Sequence, residues 1–342
     1  MRAWQTIILA AAGLLAAHAA MAADRVNVGT ANSATDIGVY VAARKGFFKE
    51  EGLDVNFIAF DSAAKMIAPF ASGDLDAGGG GTSAGLYNAV ARGIDIKIVA
   101  DKNHTPKGQG IQPLLVRKDL IESGRFKTLA DLKGLKISTA APGSAASTTL
   151  DRALKMAGLT IKDVDQVYMG FPQQSVALSN KALDAAFTAE PSASDAVASG
   201  VAVRFMGDDE IYPDHQLAVV FYSGTFVKNR PDVARRYMRA YLKGVRYYND
   251  AIVDGKLVGP KGAEIVDILA ENIPTKDKTI YSRLIAPACD PDGKLRVDSL
   301  REDLEFFKRA GDIQGNVTIE QALDTSFAEQ AVKELGPYKR AN

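Results

Sequence analysis

One pattern occurs twice in this chain, and it limits the folds open to it. In the first half a strand, a hydroxyl-rich loop and a helix end in Gly52-Leu53. A strand, a helix and a turn then lead to Asp76-Ala77, a short strand, and a helix start at Thr82-Ser83. In the second half residues 137–139, the Pro142-Gly143-Ser144 loop and a helix end in Gly158-Leu159. A strand over 166–169 and a helix over 173–178 then lead to Asp184-Ala185, a strand over 186–188, and Glu190-Pro191-Ser192. Leu53 to Ala77 is 24 positions and Leu159 to Ala185 is 26, while Thr82 and Glu190 each lie five residues past the shared Asp-Ala. So many features in one order mark a repeated unit. Strand and helix alternate within each copy, which implies a mostly parallel sheet. The expectation is two doubly wound α/β lobes of like topology.

Composition agrees with this size. The 342 residues are 47% hydrophobic and 24% charged, enough for two globular lobes with ample core. Lys+Arg and Asp+Glu both number 41, so no global charge calls for nucleic acid or an acidic membrane surface. At the N-terminus Arg2, an apolar run over 7–17 and Ala20-Met21-Ala22 have the three parts of an export signal, predicted over 1–22. The single cysteine, Cys289, is far from that cleavage point. A lipid anchor, a disulfide framework and a cysteine-based zinc site are therefore not expected. The mature chain is expected in the periplasm, as a monomer.

Along the chain, residues 23–110 read as the first part of lobe 1, 111–219 as lobe 2, and 220–342 as a return to lobe 1 plus C-terminal helices. The polar stretch DKNHTPKGQG (101–110) reads as the first crossing, with His104 exposed, and a strand over 216–223 as the second. A helix is predicted over 38–51 and another over 148–157. In the long helix over 233–251, Tyr237, Tyr241, Val245 and Tyr248 form one stripe that reads as core.

A cleft between two such lobes is where a ligand is expected. Three loops rich in hydroxyls and small residues precede helices there: 30–36, 79–83 and 141–147. They supply the candidates Ser33, Thr35 and Asp36; Gly80, Gly81, Thr82 and Ser83; and Gly143, Ser144 and Ala145. Helix starts offer free amides to an anion, and Gly78 to Gly81 allow close backbone approach. No G-x-x-x-x-G-K-[ST] is present. No arginine lies in the three loops, so neutral dipoles are expected to hold an anion. Asp36 reads either as a ligand contact or as a helix-start carboxylate. Tyr40, Phe60, Tyr87, Phe171 and Tyr222 read as core or as an apolar wall. There is no H-E-x-x-H or G-x-S-x-G, and His215 has no nucleophile signature beside it. No catalytic residues, metal or cofactor are expected.

The segments YVAARKGFFKEEGLDV (40–55), SGDLDAGGGGTSAG (72–85), ADLKGLKI (130–137), PGSAAS (142–147) and LDAAFTAEP (183–191) together resemble a known family. It is the SsuA/TauA/NMT-like substrate-binding proteins of nitrate/sulfonate/taurine-type ABC importers. That resemblance implies a type II periplasmic-binding-protein fold that closes by hinge motion on a small ligand, with an ABC permease as partner. It also implies that Glu190 lies at the cleft edge of the second lobe, opposite Thr82. A carboxylate there suits a ligand carrying an amine or hydroxyl; the other reading of Glu190 is a helix-start residue. Sulfonates, taurine-like molecules, carboxylates and pyrimidines all remain open as ligands. The family has an enzyme branch resembling thiamine-pyrimidine synthases, which use a cysteine-rich iron motif with a pyridoxal phosphate lysine. That alternative, a pyrimidine or thiamine-precursor protein on the same fold, lacks its motif in a chain with one cysteine.

Overall fold

The computed structural model describes residues 22–340; the export-signal segment, except for Ala22, lies outside the described residues. The chain opens with strands β1 (Asp24–Thr30), β2 (Leu53–Ala59), β3 (Ala77–Gly80) and β4 (Ile96–Thr105). Then come β5 (Leu114–Arg117), β6 (Lys136–Thr139), β7 (Asp165–Tyr168), β8 (Ala185–Phe187), β9 (Ala202–Met206) and β10 (His215–Ser223). They make two five-stranded sheets, in the orders β2-β1-β3-β10-β4 and β7-β6-β8-β5-β9. In the first sheet β1 runs parallel to β2 and β3, and β10 runs antiparallel to β3 and β4. In the second, β6 runs parallel to β7 and β8, and β5 runs antiparallel to β8 and β9. The two sheets share one topology, as the sequence repeat requires.

The shared Asp-Ala has a structural reason. Ala77 pairs with Val28 and Ala185 with Ile137, the same sheet position in each lobe. One residue earlier the aspartate closes the ladder end. Asp76 Oδ2 accepts from Asn27 N at 3.0 Å, and Asp184 Oδ2 accepts from Lys136 N at 3.0 Å. The backbone amides of the same aspartates donate to Asn27 O and Lys136 O. Each carboxylate also meets an arginine, Arg230 for Asp76 and Arg117 for Asp184. A short strand of three or four residues is thereby pinned in register beside its parallel neighbour.

The long helix is Pro231–Asn249, and Tyr237, Tyr241, Val245 and Tyr248 are buried along it, as the stripe predicts. Helix Ile37–Arg44 lies against it at very close range. A Cβ on Gly244 would sit 2.3 Å from Gly38 O, and one on Gly38 would meet Tyr241 and Val245 at 2.8 Å. Gly38 and Gly244 permit this close approach of the two helices.

Two expectations change. The helix predicted over 38–51 is broken at Gly46, whose φ of 79° interrupts the α conformation between Ile37–Arg44 and Phe47–Glu50. The first five residues of the polar stretch, Asp101 to Thr105, are the second half of β4 and are all buried; the chain passes to the second sheet after them, between β4 and β5. His104 is not exposed. Its Nδ1 lies 2.9 Å from Asp101 Oδ2, and Arg296 Nη2 lies 2.8 Å from its Nε2. An arginine can only donate, so Nε2 is the acceptor and Nδ1 carries the proton. Gln216 on β10 donates to the same Asp101 oxygen, at 3.2 Å, so polar bonds join the two long antiparallel strands.

Asp76→Ala and Asp184→Ala should each lower stability by about 1–2 kcal/mol, because each leaves a strand amide without its acceptor. Urea unfolding followed by circular dichroism checks this; unchanged midpoints would refute the ladder-end role.

Candidate functional site

Between the two sheets lies a cavity of about 70 Å³. Lobe 1 supplies Ala31, Ser33 and Thr35 after β1, Ser62 to Ala64 after β2, Gly80 to Ser83 after β3, Lys102 from β4, and Leu217 and Ala218 from β10. The opposite wall comes from Ile111, Gln112, Ala140, Ala141, Ser144 to Ala146, Phe171 and Ala189. Of the candidates read from sequence, Ser33, Thr35, Gly80, Gly81, Thr82, Ser83, Ser144 and Ala145 border this cavity. Asp36, Gly143 and Glu190 do not. Phe171 joins the wall, while Tyr40, Tyr87 and Tyr222 are core residues.

Each loop has a local reason for its shape. Ser33 caps the 3-10 turn Ala34–Asp36 by accepting from Thr35 N, while Asp36 reaches back to accept from Ser33 N. Ser83 caps helix Ala84–Ala91 by accepting from Leu86 N, and Ser144 stands at the cap of helix Ala145–Met156. That second helix begins three residues earlier than its predicted start at residue 148.

The two helix starts meet across the cleft. Ala84 N donates to Gly143 O at 2.7 Å, and Ala145 N donates to Thr82 O at 3.1 Å, so Ser83 and Ser144 form an antiparallel bridge. Ala34 N donates to Glu190 O at 3.0 Å, adding a third cross-lobe backbone bond. The first helical amides, expected to face an anion, are instead spent on the opposite lobe. Gly143 is needed for the contact: its φ is +49°, and a Cβ there would lie 2.7 Å from Ala84 Cβ.

The site also holds a cation that the loop sequences do not contain. Lys102 comes from β4, and its Nζ lies 2.7 Å from Asp36 Oδ1 and donates to Gly79 O at 3.1 Å. Asp36 Oδ2 accepts from Ala31 N at 3.0 Å and Ser33 N at 3.2 Å. Asp36 therefore holds both Lys102 and the loop over β1, and is turned away from the cavity. Gly79 is glycine because the lysine stem crosses it; a Cβ there would meet Lys102 Cδ at 2.6 Å. A Cβ on Gly80 would likewise meet Ala63 Cβ at 2.6 Å, so protein neighbours occupy the space expected for a ligand at these two positions.

Glu190 also points elsewhere. Its carboxylate pairs with Arg204 at 3.3 Å and accepts from Ser194 N at 3.0 Å in the following helix, Ser192–Ala198. Burial pushes its pKa up, against the pull of Ser194 and Arg204. Only its carbonyl reaches across to lobe 1. Gln112, which sequence reading missed, is held at the cavity by Asp208 Oδ1, the acceptor for Gln112 N at 3.0 Å. Burial raises the Asp208 carboxyl to about 6, and its Oδ2 has no hydrogen-bond partner. At the floor, the Thr82 and Tyr87 hydroxyls face each other, but neither completes a well-formed hydrogen bond.

Two expected outcomes follow from this geometry. Paired antiparallel positions without direct hydrogen bonds have Cα atoms about 4.5 Å apart, within disulfide range. Ser83→Cys combined with Ser144→Cys should therefore form an internal disulfide on mild oxidation, seen as a mass loss of about two hydrogens. A variant that stays reduced while folded would show that the bridge does not form in solution. For Asp208, the folded protein binds the proton more tightly than the unfolded chain, so stability falls as pH rises from about 4 to about 6. Asp208→Asn should stabilise by roughly 2 kcal/mol above that window and by little below it, measured by denaturation across pH. A pH-independent effect would contradict the buried-charge cost.

A pair of matched α/β lobes closed over a small inner cavity is the periplasmic-binding-protein fold. Residues 33–251 match the family described as NMT1/THI5 like, well over half of the chain, and the chain belongs to that family. An Escherichia coli protein carrying the name aliphatic sulfonates-binding protein is 29% identical over 154 residues, and the match spans 45% of each chain. The nitrate-binding protein NrtA from Synechocystis superposes with a TM-score of 0.74 at 14% identity, covering 91% of this chain and 89% of that one. The alkanesulfonate-binding protein SsuA from Xanthomonas axonopodis, bound to MOPS, gives 0.69 at 18%, covering 88% and 98%. The enzyme DSZB, in complex with biphenyl-2-sulfinic acid, shares the fold at 0.60 and 16%, covering 91% and 99%.

Proposed function

We propose that this chain is an exported solute receptor, which closes two lobes around a small organic anion and delivers it to the permease of an ABC importer. The cavity bordered by residues of both lobes, with backbone bonds bridging the two, carries this reading. A solute bound there touches residues of both lobes, so binding energy favours the closed form, and a permease can sense that form. The names of relatives that bind aliphatic sulfonates, alkanesulfonate and nitrate support an anionic solute. The N-terminal pattern over 1–22 supports export to the periplasm. Among the described residues no helix is long and apolar enough to cross a membrane. We take the receptor to act as a monomer.

The likeness to DSZB favours a second reading, an enzyme acting on a sulfur-containing anion. Among the described residues, those bordering the cavity include no cysteine and no histidine. Cys289 is buried outside it, where burial pushes its thiol well above the ordinary range. His215 is paired with Asp303 at 2.9 Å and stacked on Tyr212. The described side chains around the cavity thus support holding a solute better than transforming it.

A thermal-shift screen of alkanesulfonates, aminosulfonates, carboxylates and pyrimidines tests the receptor reading. A true ligand at ~1,000 times its dissociation constant should add about 4 kcal/mol and raise the melting temperature by several degrees. Recovery of a chemically changed ligand would instead point to the enzyme.

A further inference from the structure

Two of the amides expected to meet a charged solute are already taken. The Ala84 and Ala145 amides are bonded across the cleft, as described above. Lys102 is the only lysine or arginine among the described residues that border the cavity. It is also the only buried lysine among them, with its side chain 4% exposed. An ammonium carries three hydrogens. One meets Asp36 Oδ1 and one meets Gly79 O, which leaves the third without an acceptor among the described residues.

Among the described residues, no carboxylate borders the cavity. Asp36 is engaged by Lys102 and by the Ala31 and Ser33 amides, and it does not border the cavity. Glu190 faces Arg204 and Ser194. A solute carboxylate or sulfonate can gain a charge-assisted hydrogen bond here. A solute ammonium would lose its hydration and find no anion to replace it. The apolar remainder of the wall, including Ala31, Ala141, Phe171 and Leu217, suits a short hydrocarbon body.

Resting on the receptor reading above, we propose that Lys102 is the specificity-determining residue of the cleft. Its third N–H takes an oxygen of an organic monoanion, and the lack of a free carboxylate excludes solutes that also carry an ammonium group. Asp36 acts as a positioning residue, holding Lys102 in place.

Calorimetric titration of the purified full-length protein with short-chain alkanesulfonates and alkanoates, each beside its ω-amino counterpart, tests this. At least one plain anion should bind, with its amino partner about thirtyfold weaker or more. The double variant Asp36→Asn with Lys102→Met removes both charges together, so neither is stranded in the interior. It should lose about thirtyfold in affinity for that anion while its thermal unfolding stays cooperative. Should the double variant fail to fold, the wild-type Lys102 ammonium can be followed by ¹⁵N NMR of lysine-labelled protein. Burial makes it the slowly exchanging lysine signal, and it should shift on saturation with the anion. If the wild type binds none of these anions, the organic-anion reading itself falls. If an anion binds but the double variant holds it within threefold, or the ammonium signal does not move, the Lys102 assignment is overturned and the receptor reading stands. Equal binding of the amino partner overturns the exclusion of ammonium.

Discussion

Two carbonyls, Thr82 O and Gly143 O, hold the cleft in the form described. Each lies just before the cap of its own helix, and each accepts the first amide of the helix in the other lobe. Helix starts always leave amides that need partners. Here the partners come from the opposite lobe, so the closed arrangement satisfies groups that would otherwise face water. Small residues make this possible: a side chain at Gly143 would collide with Ala84. Other small residues, among them Ala31, Ala63, Ala141 and Ala189, give the cavity its mostly apolar wall.

The electrostatics of the site follow from one buried pair. Lys102 and Asp36 cancel in formal charge, yet they differ in what they present. The aspartate is surrounded by donors from its own loop, and the lysine retains a hydrogen. A buried ion pair is poor evidence for stability, since desolvation offsets much of the attraction. Its value here is geometric, because it ties the loop after β1 to β4. To reach Asp36 the lysine stem passes over Gly79 of β3. Glu190 and Arg204 form a comparable pair in the second lobe, but outside the cavity.

Much of the architecture could be read from the chain. The doubled Asp-Ala, the glycine stops and the tyrosine stripe are local patterns, and the two sheets follow them closely. Ser83 was legible at a helix start because capping is written within four residues of sequence, whereas Ser144 reads as a loop residue before a helix expected from 148. The misreadings that bear on the site share one physical cause. Asp101 to Thr105 are polar, so hydrophobic periodicity gives no strand there. Their burial depends on partners far along the chain, such as Gln216, Ala288 and Arg296. Lys102 was missed for the same reason, and with it the charge of the site. Glu190 was placed near the cleft by its motif, but the motif carries no information on the distant Arg204 that turns the carboxylate away.

The central claim is that a small solute lies between the lobes, enclosed by the loops after β1, β3 and β6. A crystal structure of the protein with a solute that raises its melting temperature tests this most directly. The account predicts that molecule in contact with residues of both lobes, with the Ala84–Gly143 and Ala145–Thr82 bonds intact. A solute seated on one lobe alone, or outside these loops, would contradict it.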